Sequence, residues 1–293
     1  MKYTIHHKTS YNYLEPVSLC HNIARLMPRN TDDQICNNTR IEISPKPDRI
    51  NEYEDFFGNK VIYFSIEKEH WELTFEVTSE VERIKKSFAK MDGKSGEDPY
   101  WEKERESIRL QEDGVDVLQY IPETPMTASG GELLAYTRQS FLPGRSIFEA
   151  TLDLTQRIHD DFEYKPGHTT IATPLSVVLG ERKGVCQDFA HLAIACLRAV
   201  GLPARYVSGY IETISPEGVE KLIGVDASHA WFSVYIPDHG WADFDPTNNC
   251  LVSDQHITIG WGRDYSDIAP FEGIIQSSGS HELTVSVDVK REH

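Results

Sequence analysis

The spacing of apolar residues changes character twice along this chain. Over the first 85 residues the period is two. Leu73, Phe75, Val77 and Val81 alternate with Thr74, Glu76, Thr78, Glu80 and Glu82, giving one dry and one wet face and predicting a strand of an antiparallel sheet. Val61-Ile62-Tyr63-Phe64-Ser65-Ile66 predicts a second strand, entered through a Gly58-Asn59 turn. Shorter strands are expected at 3–6, 22–27 and 39–44. The pattern then fades into a polar connector over 86–145, with an exposed loop at 90–96 and a helix start at Asp98-Pro99. A short charged helix from Trp101 to Leu110 follows, its charges a solvated face. After breaks at Pro122, Pro125 and Gly130-Gly131, a second short helix is expected over 132–141, docked by Leu133, Leu134 and Tyr136.

From 146 the period becomes helical. Ser146 and Glu149 form a capping box, and Ile147, Ala150, Leu154 and Ile158 trace one stripe. Thr173-Pro174 starts a short helix through Leu179. Phe189, Leu192, Ala193, Cys196, Leu197 and Val200 mark another, stopped by Gly201 and Pro203. Strands then return at 205–211, at 228–236 and at 241–247, the last two joined by the turn Pro237-Asp238-His239-Gly240. Residues 213–224, with Pro216 and Gly218, read as a polar loop suited to a lid. Late strands are expected at 256–259 and 283–289, the latter able to join the N-terminal sheet. The division is a β-rich domain over 1–85, a connector over 86–145 and an α+β unit over 146–293.

The chemistry gathers at the start of the second long helix. Cys186 falls on its first turn, where unpaired N–H groups and the positive dipole end favour an anionic sulfur. Alone, a free cysteine reads as a small buried hydrophobe. Its company changes that reading. His229 and Asp245 lie near the same end of one hairpin, and they share a face if the pairing register sums to an even number, which the sequence leaves open. Such a set supplies an imidazole to take the thiol proton and a carboxylate to hold the ring. Asp243 shares strand parity with Asp245 and competes with it. His191 stands five residues beyond Cys186, about 140° around the helix, and points away. Gln187 and the Cys186 backbone N–H are candidates for stabilising an oxyanion. Asp188 suits the helix N-terminus or a pairing with Arg205. Tyr210, Trp231, Arg263 and Tyr265 are candidate cleft walls. Cys196 falls on the apolar stripe, and Cys250 reads as structural rather than as a redox partner of Cys186.

The blocks GVCQDFAHLAIACLRAVGLPARYVSGYI and DASHAWFSVYIPDHGWADFDPTNN together resemble the core of the bacterial transglutaminase-like superfamily, whose members are often described as candidate cysteine proteases with a papain-like Cys–His–Asp triad. YTIHHKTSYNYLEPV and DFFGNKV resemble the β-rich N-terminal domain that accompanies many members, and GRDYSDIAPFEG at 262–273 resembles their C-terminal segment. The resemblance implies a papain/transglutaminase-like core, with a nucleophile helix packed on an antiparallel sheet. It implies Cys186 as nucleophile, His229 as base and Asp245, through its Asp-Pro-Thr, as orienter. The implied chemistry is a thioester acyl-enzyme, with hydrolysis of a peptide or isopeptide bond expected. Transamidation to a primary amine is the enzymatic alternative, and a non-catalytic interaction module is the third reading.

Composition narrows the partners. A net charge of −17 argues against nucleic acid and against anionic membrane surfaces, both of which reward Lys and Arg. No apolar run approaches the ~18 residues of a membrane span, and the first residues lack the apolar stretch of a secretory signal. Five cysteines (20, 36, 186, 196 and 250) show no disulfide framework, so a reducing cytoplasm is expected. No metal or cofactor is expected: there is no Cys-x-x-Cys, Cys186, His191 and His229 lack close ligand spacing, and no EF-hand loop is present. His159-Asp160 resembles the doublet of metal phosphohydrolases without the partners that chemistry needs. His6, His7 and His21 read as surface or satisfied strand residues. The expected partner is a peptide or protein amide, with a primary amine as a second substrate.

Overall fold

Alternation in the first 84 residues resolves into six strands: β1 (Lys2–Val17), β2 (Leu19–Ala24), β3 (Gln34–Ser44), β4 (Arg49–Glu54), β5 (Lys60–Ile66) and β6 (His70–Arg83). The computed structural model describes residues 1–84, 100–110, 114–128, 130–213 and 228–292. The loop at 90–96, the Asp98-Pro99 helix start and residues 214–224 of the expected lid, Pro216 and Gly218 included, lie outside the described residues. β1 runs far beyond the expected 3–6 because its dry face continues through polar residues: Tyr3, Ile5, His7 and Thr9 are all buried. A count of hydrophobics cannot see that. β4 was hidden for the opposite reason. All six of its residues are exposed, so it has no buried face to pattern. Its Arg and Glu side chains suit an edge strand.

The helices are α1 (Trp101–Leu110), α2 (Val115–Leu118), α3 (Gly131–Thr137) and α4 (Ile147–Asp161). The capping box forms at α4: Ser146 Oγ accepts from the Glu149 N–H at 3.2 Å, and Glu149 Oε2 accepts from the Ser146 N–H at 3.2 Å. β7 (Glu163–Tyr164), α5 (Leu175–Glu181) and β8 (Lys183–Gly184) lead into α6 (Cys186–Ala199). Every α6 residue from Asp188 to Arg198 is buried, so the helix is enclosed rather than amphipathic on a surface. The remaining strands are β9 (Ala204–Ile211), β10 (Ser228–Ile236), β11 (Gly240–Asp245), β12 (Cys250–Leu251), β13 (His256–Gly262), β14 (Phe271–Gln276) and β15 (His281–Glu292).

α6 packs on a five-stranded antiparallel sheet of order β12-β11-β10-β9-β13. Phe189, Leu192 and Cys196 meet Tyr206, Phe232 and Phe244 in one continuous core. The second core is built by two four-stranded sheets, β15-β1-β6-β3 and β14-β2-β5-β4. β15 pairs with β1 from Lys2↔Glu292 to Tyr13↔His281, and β14 pairs with β2. Both ends of the chain therefore close the same unit, and the last two strands belong by hydrogen bonding to the sheets of the first 84 residues.

Three side chains lock this β unit to the α6 sheet. Gln34 donates to the Thr258 carbonyl at 2.7 Å and accepts from the Thr258 N–H at 2.8 Å. Asn59 does the same to Trp261, at 2.8 and 3.0 Å. The two amides thus imitate a neighbouring strand along the free edge of β13. A Cβ at Gly260 would lie 2.3 Å from Asn59 Oδ1, so that approach requires glycine. The third lock is His7, whose Nδ1 lies 2.8 Å from the Tyr210 hydroxyl and whose Nε2 lies 3.1 Å from Thr9 Oγ1. Tyr210, Ile257 and Ile259 of the α6 sheet complete the β unit's own core.

Burial pushes the His7 imidazole from its ordinary 6.5 down to about 4. The folded state therefore binds fewer protons than the unfolded chain in this window. The stability this site contributes is complete above pH 6.5 and is lost as pH falls towards 4. Burial holds His191 down to about 4 in the same way. Urea midpoints measured across this range should fall with acidification, and they should fall less for His7→Gln, which has no proton to gain.

Candidate active site

Cys186 opens α6 because the residues before it stop the chain from being helical sooner. Gly184 is held in the parallel β7–β8 pair, and Val185 is extended, with φ −120° and ψ 178°. Asp188 then folds back: its Oδ2 accepts the Val185 N–H at 2.8 Å and the Thr169 hydroxyl at 2.6 Å. A Cβ at Gly184 would meet the Asp188 side chain at 2.9 Å, so the cap needs glycine there. Of the two roles expected for Asp188, helix capping is the one present. Arg205 is not its partner; that guanidinium lies between Trp241 and Trp261, 4.4 and 3.8 Å from their ring centres.

The β10–β11 register pairs Phe232 with Phe244. The sum is even, so His229 and Asp245 share a face as diagonal neighbours. His229 Nε2 stands 2.7 Å from Asp245 Oδ2, with both side chains buried. Cys186 lines the same cleft as His229 and lies close enough to raise the proton affinity of its ring. Since Asp245 engages Nε2, Nδ1 is the ring nitrogen left for the sulfur.

Asp245 is fully buried and accepts five hydrogen bonds. Oδ2 takes His229 Nε2 at 2.7 Å, His256 Nε2 at 3.0 Å and Asn248 Nδ2 at 2.6 Å. Oδ1 takes the Thr247 and Asn248 N–H groups at 2.9 and 3.2 Å. His256 Nδ1 accepts the Ser253 N–H at 3.3 Å, which leaves the neutral ring's proton on Nε2, aimed at the carboxylate. Burial by itself would push the Asp245 carboxyl up, but these donors hold it well below the usual carboxylate range. For His229, burial pulls the imidazole down, and the bond to Asp245 and the nearby Cys186 override this and carry it up to about 10. The arrangement stores a cation between a sulfur and a fixed anion.

Cys186 is half-buried at one end of a cleft of about 280 Å³. Gln187, His229 and Tyr265 line it with Cys186, together with Thr9, Tyr11, Leu283 and Val285 from the β1–β15 pair. The structure places the remaining wall candidates elsewhere. Tyr210 is the buried strut to His7. Trp231 is fully buried in a small cluster with Val207 and Val252, behind His229 rather than in the cleft. Arg263 turns outwards onto Asp267, with Nε and Nη2 each 2.9 Å from its oxygens. His191 stays away from the sulfur, accepting the Tyr265 N–H at 3.1 Å on Nε2; it holds the segment that carries one cleft wall.

The competing Asp243 accepts the Ser233 hydroxyl and faces a different hollow, of about 530 Å³, shared with Arg205 and Trp261. Cys196 is core, its thiol pushed up to about 12 by burial. Cys250 pairs with Asp245 across β11–β12, and burial pushes it up to about 11; it does not line the cleft. His159 sits with Nδ1 3.0 Å from the Thr247 carbonyl, bracing the turn that carries Asn248. Among the described residues, one histidine–carboxylate group has converging donor atoms, His229, Asp245 and His256, within 4.8 Å of one another. Both imidazoles already direct Nε2 at the same oxygen, so their own hydrogen bonds close the set. Asn248 and His256 escaped the sequence reading. Asn248 could have been suspected from the Asp-Pro-Thr-Asn turn, whereas nothing local marks His256, which reaches Asp245 only through the strand order.

Replacing Asp245 by Asn would set an amide N–H₂ or a weaker acceptor against three donors. The His229 ring, followed by NMR, should titrate near 10 in the parent and well below that in Asp245→Asn, where only Cys186 still opposes burial. The stability tied to this proton is complete below pH 6.5, lost as pH rises through about 10, and reduced in the variant. Near neutral pH, thermal or urea unfolding should show a loss of about 3 kcal/mol.

Comparison with known proteins places this geometry in context. The family model for the bacterial transglutaminase-like N-terminal region matches residues 3–82, and that for the transglutaminase-like superfamily matches residues 136–246. An uncharacterized protein of Mycobacterium tuberculosis is 39% identical over 293 residues, covering 98% of this chain and 92% of the relative. A protein-glutamine gamma-glutamyltransferase of Pseudomonas aeruginosa is 36% identical over 98 residues, which is 32% of this chain and 15% of that protein. A solved "Putative Cysteine Protease" from Cytophaga hutchinsonii is 23% identical and superposes with a TM-score of 0.76, covering 100% of this chain and 92% of that one. The two share the fold throughout.

Proposed function

The chain belongs to the transglutaminase-like superfamily, and from that footing we propose that it is a cysteine-dependent amide hydrolase acting through a thioester on Cys186. The observation that carries this reading is the His229–Asp245 hydrogen bond beside Cys186, the sulfur and the ring lining one cleft at a helix N-terminus. In the proposed cycle Cys186 Sγ attacks the amide carbonyl, and the oxyanion forms beside the unpaired N–H groups of the first α6 turn and the Gln187 side chain. His229, as imidazolium, gives its proton to the departing amine, and a thioester remains. Water then enters, His229 takes its proton, and the acid leaves with the sulfur restored. Asp245 stays ionised and keeps Nε2 engaged, so the ring always presents Nδ1 to the reaction.

The substrate class proposed is a peptide or isopeptide amide. Transamidation is kept as a second reading because the stretch similar to a protein-glutamine gamma-glutamyltransferase falls in this family, and an amine can replace water at the thioester without any change of residues.

Incubation with peptide amides, with and without a primary amine, should release the free acid in both cases and trap an acyl group on Cys186. Cys186→Ala should abolish the reaction, and His229→Ala should lower kcat by ~10²–10⁴. Turnover should also decline as pH rises through about 10, where the His229 proton is lost. Activity surviving in Cys186→Ala would overturn the proposal, and amine adducts outweighing acid would move it to transamidation.

A further inference from the structure

The cleft that holds Cys186 is made by two parts of the chain, and the second part bears no chemistry of its own. Its surface is a pair of rungs on the β1–β15 ladder, Thr9↔Val285 and Tyr11↔Leu283. All four side chains line the cleft, and being two apart on each strand they share one face. Leu283 and Val285 remain 50% and 48% exposed, apolar side chains left uncovered within reach of a sulfur. β15 is the outermost strand of its sheet, so nothing in that sheet covers them from beyond. Phe271 extends the same apolar surface against Tyr11, at 5.6 Å between ring centres. The rung beneath is fixed by the His7–Tyr210 bond, so this wall is held at a set distance from the nucleophile.

The charge of the lining decides what the wall suits. Charged residues make up 26% of the chain, yet among the described residues the fifteen that line this cleft include no Asp, Glu, Lys or Arg. His229 is already committed to Asp245 and the sulfur, so a charged side chain seated against Leu283 and Val285 would leave water without a free counter-ion, which is strongly unfavourable. An apolar one would cover Leu283 and Val285 and be covered by them.

We infer that the β1–β15 ladder is the specificity wall of the Cys186 site, selecting acyl donors whose side chain flanking the scissile carbonyl is apolar. The inference rests on the reading of Cys186 as the nucleophile, and the test separates the two. Peptidyl acyloxymethyl ketones carry a ketone where the scissile carbonyl would lie and an electrophilic methylene next to it. The sulfur displaces the acyloxy group as a carboxylate, forming one C–S bond without turnover. Probes with Leu, Phe, Asp or Lys beside the electrophile are reacted with the full chain. The rate of Cys186 labelling is read by mass spectrometry relative to iodoacetamide on the same protein.

Leu and Phe probes should react about tenfold or more faster than Asp or Lys probes. In Leu283→Asp, and separately in Val285→Asp, that ratio should shrink towards unity, with the Lys probe gaining. Both positions are half exposed, so folding is not at stake, and the preference of the parent protein is itself a test. Equal labelling by all probes in the parent, or a parent ratio unmoved in both variants, would overturn the wall. A chain that selects among probes but cleaves no amide keeps the wall and loses the hydrolase, whereas one that cleaves amides without selection does the reverse.

Discussion

A single buried carboxylate organises the site. Asp245 is removed from water altogether, and an ion so placed costs several kcal/mol unless its lone pairs are answered. Five donors answer them, and they come from three separate places: β10 through His229, the turn after β11 through Thr247 and Asn248, and β13 through His256. The anion can be buried only if all three arrive together. His229 therefore gains its orientation and its raised proton affinity from an arrangement that is also a condition for folding the sheet. The cysteine adds a further partner to a network already complete without it.

That network reaches into the β unit. His256 is delivered by β13, the edge strand of the sheet, and the outer side of β13 is held by Gln34 and Asn59. These two amides come from loops and strand ends of the first 84 residues. The N-terminal sheets thus support Asp245 from behind while forming the far wall of the cleft in front. That one chain carries both segments fits this physical dependence, since neither half of the cleft is complete alone.

Much of this was legible from local pattern. The capping box at Ser146, the helix after Cys186 and the β10–β11 hairpin each carry their own signal within a dozen residues, and each formed. Where the pattern failed, the cause was a long-range partner. The His229–Asp245 diagonal needed a register that only paired strands define. Tyr210 and Trp231 sit on strands as a cleft wall would, but one strand's side chains face two ways, and the partner sheets decide which way is open. Arg263 is the local exception, drawn off by Asp267 four residues further on. The Leu283–Val285 wall was beyond reach, because β15 joins β1 across the full length of the chain. His256 gave no hint for the same reason.

Trp231 shows why a residue misplaced by the sequence reading still belongs to the chemistry. Its indole lies edge-on to His256, with ring centres 5.3 Å apart, and 6.0 Å from His229. Beneath it, β9 has no side chain: a Cβ at Gly209 would meet the indole at 2.3 Å and the Ile257 carbonyl at 2.3 Å. Gly209 is therefore the space into which Trp231 fits, and Trp231 is the dry floor under two imidazoles and their shared carboxylate. A low-dielectric floor strengthens the attraction between His229 and Asp245 while penalising each charge taken singly. The pair is stable only as a pair, and a proton cannot leave the ring without exposing Asp245 to that penalty. Burial alone would strip the proton from His229; the hydrogen bond to Asp245 inside that dry packing is what keeps the imidazolium beside the sulfur.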